Sequence, residues 1–316
     1  DWRAPIAQLE TLYAAYPKPE DGVPDFTVRL FAARPWRQVV RPAVMIGGDY
    51  ILPEAAPLPL AQGLLAAEMG MNLQMALGQR HFLLLHAAVV ERDGKALVLT
   101  GVSGAGKSTL AALLSLRGWR LMGDEFALLD PATGLLHAFP RLVSLKNASV
   151  ATVAAEVPAD RLGPMLEGTP KGTIRHLVPD AAALAAMDAP ARPALILFPS
   201  FGYDSATRDV AQSEVFVRLT QASTNYVAMG ERGFDALTAL VQGVPARAID
   251  YPDTDSAIAL VEAGLGVAVL PTYALAAARN GALVGRPLAT PTIAREIQLI
   301  HASGRSVSPA VAAFTP

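Results

Sequence analysis

No cysteine occurs in the 316 residues, so disulfides, thiolate nucleophiles and zinc–thiolate sites are excluded, and a reducing cytoplasm suits the composition. Charge of one sign is also lacking. The 26 Lys and Arg stand against 28 Asp and Glu, a net charge of −2, which argues against broad nucleic-acid binding. Although 52% of residues are hydrophobic, alanine lifts that share, and no stretch approaches the roughly 18 uninterrupted apolar residues of a membrane span. Nor does the amino-terminal part read as a DNA-binding helix-turn-helix or a targeting segment. A soluble, cytoplasmic α/β protein of one large domain or two ordinary ones is expected.

What is present centres on Leu97–Leu110, LVLTGVSGAGKSTL, where Gly101, Gly104, Gly106, Lys107 and Ser108 match the phosphate-binding pattern GxxxxGK[ST]. Glycines let a backbone curl until its N–H groups converge on phosphate oxygens, and a helix starting at the loop adds its positive end. Lysine then reaches the β and γ phosphates, and the serine hydroxyl meets Mg²⁺. The context fits, because Ala96–Thr100 reads as a strand and Lys107–Arg117 as a helix closed by Gly118. ATP and Mg²⁺ are the expected ligands, with Gly101, Ser103, Gly104, Ala105, Gly106, Lys107, Ser108 and Thr109 holding the nucleotide.

Upstream, Ile6, Leu9, Leu12, Tyr13 and Tyr16 predict a helix within residues 1–16 that stops before Pro17. Strands are expected at Asp25–Phe31 and Gln38–Ile46, a linker at Leu52–Pro59, and a helix over 60–79. His81–Val90 and Lys95–Thr100 form strands joined at Asp93-Gly94, a hairpin signal, so the loop strand is entered from an antiparallel neighbour. His86 lies in that neighbour, where an offset would separate it from the loop and a lone histidine is more often core than chemistry. After the loop helix, Trp119–Met122 delivers Asp124-Glu125, and Phe126–Leu129 continues the strand. Two carboxylates there suit Mg²⁺, with Ser108, Asp124 and Glu125 as ligands, or proton acceptance from an attacking hydroxyl by Asp124. Lys146, Lys171 and Arg175-His176 are further charges for a transferring phosphoryl group, and Asn147 and Asn225 are candidates to orient them.

The stretch from Leu83 to Leu129 resembles the HPr kinase/phosphorylase superfamily, most closely its HPr-related kinase A branch found with exosortase systems. PRLVSLKN (140–147), TPKGTIRHLVP (169–179), LILFPSFGYDS (195–205), TNYVAMGERGFDAL (224–237) and AIDYPDTDSAIALVE (248–262) are similar to that branch in the same order, as are LYAAYP, DFTVRL and the helix with Glu68, Asn72 and Leu73. Coverage is roughly residues 10–262. The resemblance implies a P-loop kinase core with a mixed sheet, shared with ATP-dependent phosphoenolpyruvate carboxykinase. It also implies Mg-ATP as donor and transfer of the γ-phosphoryl to a hydroxyl, serine by preference, of a protein, peptide or small molecule. On it, His86 matches the active-site histidine and Asp124 the acid that acts as base; with Lys107 of the loop and Lys146 as an added charge they make up the expected catalytic set. Glu125 stands where HPr kinase carries Asp, the HPr-docking signature is not evident, and self-association is implied because HPr kinases are hexamers.

From about Val261 the sequence resembles instead the end of a LysR-type effector domain, without the long segment needed for that domain's two lobes. The expected organisation is an N-terminal α/β region at 1–79, a nucleotide-binding core at 80–262 and a C-terminal α/β extension at 263–316. In that extension, strands are expected at Val267–Leu270 and Glu296–His301, and helices at Thr272–Arg279 and Pro309–Phe314. A nucleotide-sensing module without transfer is the rival function, and an effector-binding fragment of a transcription regulator is the weaker one.

Overall fold

The computed structural model describes residues 2–18, 22–52 and 54–265. Packing divides the chain into two units, Asp1–Gly266 and Val267–Pro316, and every described residue belongs to the first. The strands and helices expected beyond residue 266 lie outside the described residues.

Helix α1 (Arg3–Leu12) ends a turn earlier than the apolar spacing suggests. Tyr13 and Tyr16 leave it because their hydroxyls are used elsewhere, donating to the Glu68 carboxylate at 2.7 Å and the Pro140 carbonyl at 2.6 Å. Strands β1 (Val28–Ala32), β2 (Ala43–Gly48) and β3 (Leu58–Pro59) form a small antiparallel sheet. The strand expected at 38–46 starts only at Ala43, since Pro35–Gln38 winds into a 3₁₀ turn and Arg41 takes a left-handed conformation. Likewise the expected linker 52–59 ends as β3. Helix α2 (Gly63–Gly78) packs across this sheet, approaching it closely enough that a Cβ at Gly70 would meet Val28.

Residues 81–90 are not one strand. They divide at His86 into β4 (Leu83–Leu85) and β5 (Ala87–Arg92). Strand β6 (Lys95–Thr100) follows, then helix α3 (Lys107–Ser115), with Gly118 left-handed just beyond it. Next come β7 (Arg120–Gly123) and β8 (Ala127–Leu129), again two strands in place of one. They are followed by β9 (Leu136–His137), β10 (Val143–Lys146), α4 (Ala148–Ala154), β11 (Leu162–Thr169), β12 (Gly172–Leu177) and α5 (Ala181–Ala185). The last elements are β13 (Arg192–Phe201), β14 (Ala206–Asp209), α6 (Gln212–Ala222), α7 (Tyr226–Gly243), β15 (Ala246–Tyr251) and α8 (Thr254–Leu265).

A mixed six-stranded sheet, ordered β14-β15-β13-β6-β5-β7, is the centre. Strand β6 runs antiparallel to β5, as the hairpin signal requires, and parallel to β13 on its other side. Side chains alternate across it. Val90, Leu97 and Leu99 enter a core with α3, α4 and α8, whereas Val89, Val98 and Phe198 enter a second core with α6 and α7. Burial on both faces is why these strands read as unbroken apolar runs. Two smaller three-stranded sheets are ordered β4-β8-β9 and β10-β12-β11. Among the described residues, no helix is long and apolar enough to cross a membrane.

Candidate functional site

The turn between β5 and β6 has only two central residues, Asp93 and Gly94, both at positive φ (54° and 75°). Such a turn fixes register without offset, and Ala87 pairs with Thr100. His86 is consequently brought opposite Gly101, where the glycine loop begins, which corrects the expected offset. The Thr100 hydroxyl donates to the His86 carbonyl at 3.1 Å.

In the loop Gly101, Gly104 and Gly106 have φ of 144°, 85° and 90°, conformations that L side chains rarely adopt. Val102, Ser103 and Gly104 are exposed, while Ala105 turns inward. Beneath it the buried Tyr251, at the C-terminal end of β15, donates its hydroxyl to the Ala105 carbonyl at 2.9 Å. A Cβ at Gly106 would collide with that same hydroxyl. Lys107 is buried, and its ammonium bonds the carbonyls of Gly101 at 2.8 Å and Val102 at 3.0 Å. Ser108 and Thr109 follow, half-buried, in the first turn of α3.

Asp124 and Glu125 occupy the crossing between β7 and β8, next to the crossing at His86 between β4 and β5. Leu85 pairs with Ala127 in one sheet and Val89 with Gly123 in the other. At this seam the ladders part, and the polar groups lie between the sheets. The His86 ring, through Nδ1, approaches the Glu125 carbonyl at 3.2 Å and its carboxylate at 3.5 Å. Asp124 is 4% exposed; one carboxylate oxygen accepts from the Ser144 amide at 3.0 Å, and Oδ1 is buried without a partner.

These groups hold one another's charge states. Burial, then the neighbouring Glu125 charge, pushes the Asp124 carboxyl up to about 6, against hydrogen bonds from Ser108 and Ser144 and the charge of Lys146. His86 is pushed down chiefly by burial; Glu125 opposes this, and the Lys107 and Lys146 charges add to it. Burial also lowers Lys107, while Asp124 and Glu125 act to raise it. Lys107, Ser108, Asp124, Glu125, His86 and Lys146 are thus brought together. Among the described residues no group of three or more His, Asp or Glu stands ready for a metal, but the orphaned Asp124 oxygen and the Ser108 hydroxyl fit a Mg²⁺ ion that arrives with phosphate ligands of its own.

Beside Asp124 lies a cavity of about 140 Å³, bordered by α2, the segment Phe139–Lys146 and the β11–β12 hairpin. Its wall carries a buried ion pair between Arg141 and Glu68; Arg141 also bonds the Asn72 carbonyl oxygen. Lys171 sits at the hairpin turn, tied to Asn147 through the Asn147 amide and Thr173 (3.4 and 3.1 Å). Asn147 itself adopts a left-handed φ of 52°. Successive residues of β12 face opposite ways: His176 lines the cavity, whereas Arg175 bonds the Gly163 carbonyl at 2.8 Å and does not join the site. Asn225 lies away from the phosphate loop and clamps the strand before His86, accepting from the Leu84 amide and donating to the Gln79 and Phe82 carbonyls. Sequence reasoning missed Tyr251, Ser144 and Arg141. A tyrosine at the C-terminal end of a parallel strand was the one signal for Tyr251.

Two family models match the chain. The SynChlorMet cassette protein ScmC model covers residues 64–188, and the LysR substrate binding domain model covers 208–315. The second match begins well before the discontinuity seen near Val261 and takes in α6, α7, β15 and α8. No curated protein matches. Among solved structures, the HPr(Ser) kinase/phosphatase from Coxiella burnetii is similar over 56% of this chain and 90% of its own, with 17% identity and a TM-score of 0.27.

Proposed function

We propose that the chain is an ATP-dependent phosphotransferase whose acceptor is a hydroxyl group, with residues 80–262 as its nucleotide-binding core. One observation carries the reading: a buried carboxylate with an unpartnered oxygen, Asp124, stands beside Lys107 and Ser108 at the end of a left-handed glycine loop. The loop amides and Lys107 bind the polyphosphate, the lysine exchanging its two carbonyl partners for phosphate oxygens. Ser108, Asp124 and Glu125 would hold a magnesium ion, which neutralises charge on the transferring group. Asp124 takes the hydroxyl proton as the acceptor oxygen bonds the γ phosphorus and the bond to the β–γ bridging oxygen breaks, releasing ADP. His86, whose pKa burial lowers, orients Glu125, and Lys146 adds positive charge.

Label transfer from γ-labelled ATP tests this. Lys107→Ala is expected to weaken nucleotide binding at least tenfold. Asp124→Asn is expected to bind nucleotide near wild type when Mg²⁺ is omitted and to cut turnover by about 10²–10⁴. If Asp124→Asn keeps full function while Lys107→Ala loses it, the chain is a nucleotide sensor and the transfer reading fails.

A further inference from the structure

The acceptor half of the site is the cavity beside Asp124. At about 10–15 Å³ for each water-sized group, its 140 Å³ admits on the order of ten such groups. That suits a whole small molecule, being too little for a nucleotide and more than a seryl side chain fills. Its wall is polar in a selective way. Glu68 is committed to Arg141 and to the Tyr13 hydroxyl, so its charge is already balanced. Lys146 and Lys171 also line the cavity, and neither has a carboxylate within ion-pair distance among the described residues. His176 is 1% exposed, with its Nδ1 lacking any hydrogen-bond partner. The Asn72 oxygen is taken by Arg141, which leaves its NH₂ as a donor.

Resting on the phosphotransferase reading, we propose that the acceptor is a small hydroxy acid of about ten non-hydrogen atoms. It is bound whole in this cavity, its hydroxyl toward Asp124 and its anionic group toward Lys171. The geometry of Lys171 supports this, for the Asn147 bridge fixes the hairpin turn that carries it. In the transfer the acid's hydroxyl proton passes to Asp124, its oxygen bonds the γ phosphorus of a nucleoside triphosphate, and the nucleoside diphosphate leaves with the bridging oxygen. The product is a phosphomonoester of the acid. A serine on a folded protein would leave Lys146 and Lys171 without an anionic partner.

The test uses the full chain with γ-labelled ATP and Mg²⁺. Acceptors are L-serine, L-homoserine, D-glycerate, L-malate and L-tartrate, set against glycerol, ethanolamine and an N-acetylated seryl pentapeptide amide. Label is expected on at least one hydroxy acid and on none of the other three. With the preferred acid, Lys171→Met is expected to raise KM at least tenfold with kcat within about threefold, and Lys171→Arg to restore most of the affinity. Label on glycerol, ethanolamine or the peptide in preference to every acid overturns the proposal. So does transfer to an acid with KM unmoved by Lys171→Met. If ATP binds in a Lys107-dependent way and no acid is labelled, the acceptor assignment fails alone, whereas absence of ATP binding fails the phosphotransferase reading and this proposal together.

Discussion

Asp124, the proposed base, is a single carboxyl whose charged form is held at the expense of the fold. Its folded pKa, about 6, lies above the ordinary 3.8, so the native state holds the proton more tightly than the unfolded chain. The stabilisation linked to that proton is complete below about pH 4 and is lost as pH rises through 6. At pH 8 the ionised group costs on the order of 2–3 kcal/mol. Asp124→Asn is therefore expected to unfold at higher denaturant concentration than wild type at pH 8, with the difference closing toward pH 4. In the wild-type protein kcat/KM, which reports the free enzyme, is expected to climb about tenfold per pH unit up to roughly pH 6 and then level off. A profile flat across that range removes Asp124 as the base. Lys107, Ser108 and Asp124 were legible as a phosphate-and-carboxylate set from spacing. Tyr251 was not, because its place at a strand end does not name its partner, a carbonyl 146 positions away.

At the scale of elements, the seam between two sheets creates the site. A run as apolar as HFLLLHAAVV reads as one strand, and only tertiary partners split it: the His86 amide bonds the Ala222 carbonyl at 2.8 Å, while the Ser223 hydroxyl and Asn225 take the backbone of Leu84. Asn225, 2% exposed, satisfies three backbone groups at once. Asn225→Ala leaves the buried Leu84 amide and two half-buried carbonyls unpaired, and is expected to cost about 2–4 kcal/mol in urea unfolding. Turnover should fall with it, because β4 fixes the approach to His86. A loss under 1 kcal/mol would assign the clamp to the α6–α7 backbone alone. The helices around the core were legible from their apolar periodicity, and Gly123 marks the break before β8, whereas the break between β4 and β5 was not legible, since no Gly or Pro lies near His86.

At the scale of the whole molecule, the two family-model matches meet in one sheet. Strands β5, β6 and β7 come from the segment matching ScmC, and β15 from the segment matching the LysR domain. Tyr251 carries the loop's support across that boundary. All the residues assigned to the site lie in the first unit, so a chain ending at Gly266 is expected to bind nucleotide within about twofold of the full chain by titration of a fluorescent ATP analogue. Loss of binding with the fold intact by circular dichroism would give the remaining 50 residues a role in the site.

The Asp93-Gly94 turn works as a ruler. His86 and Gly101 are counted off equally from it along the two arms, so a single inserted residue would shift one arm against the other and turn its side chains to the opposite face. Every functional group would still be present, yet the histidine would no longer face the loop. The hairpin is thus free to vary in what it is made of, provided its turn residues accept positive φ, and is held to a fixed length by the groups that must meet at its far end.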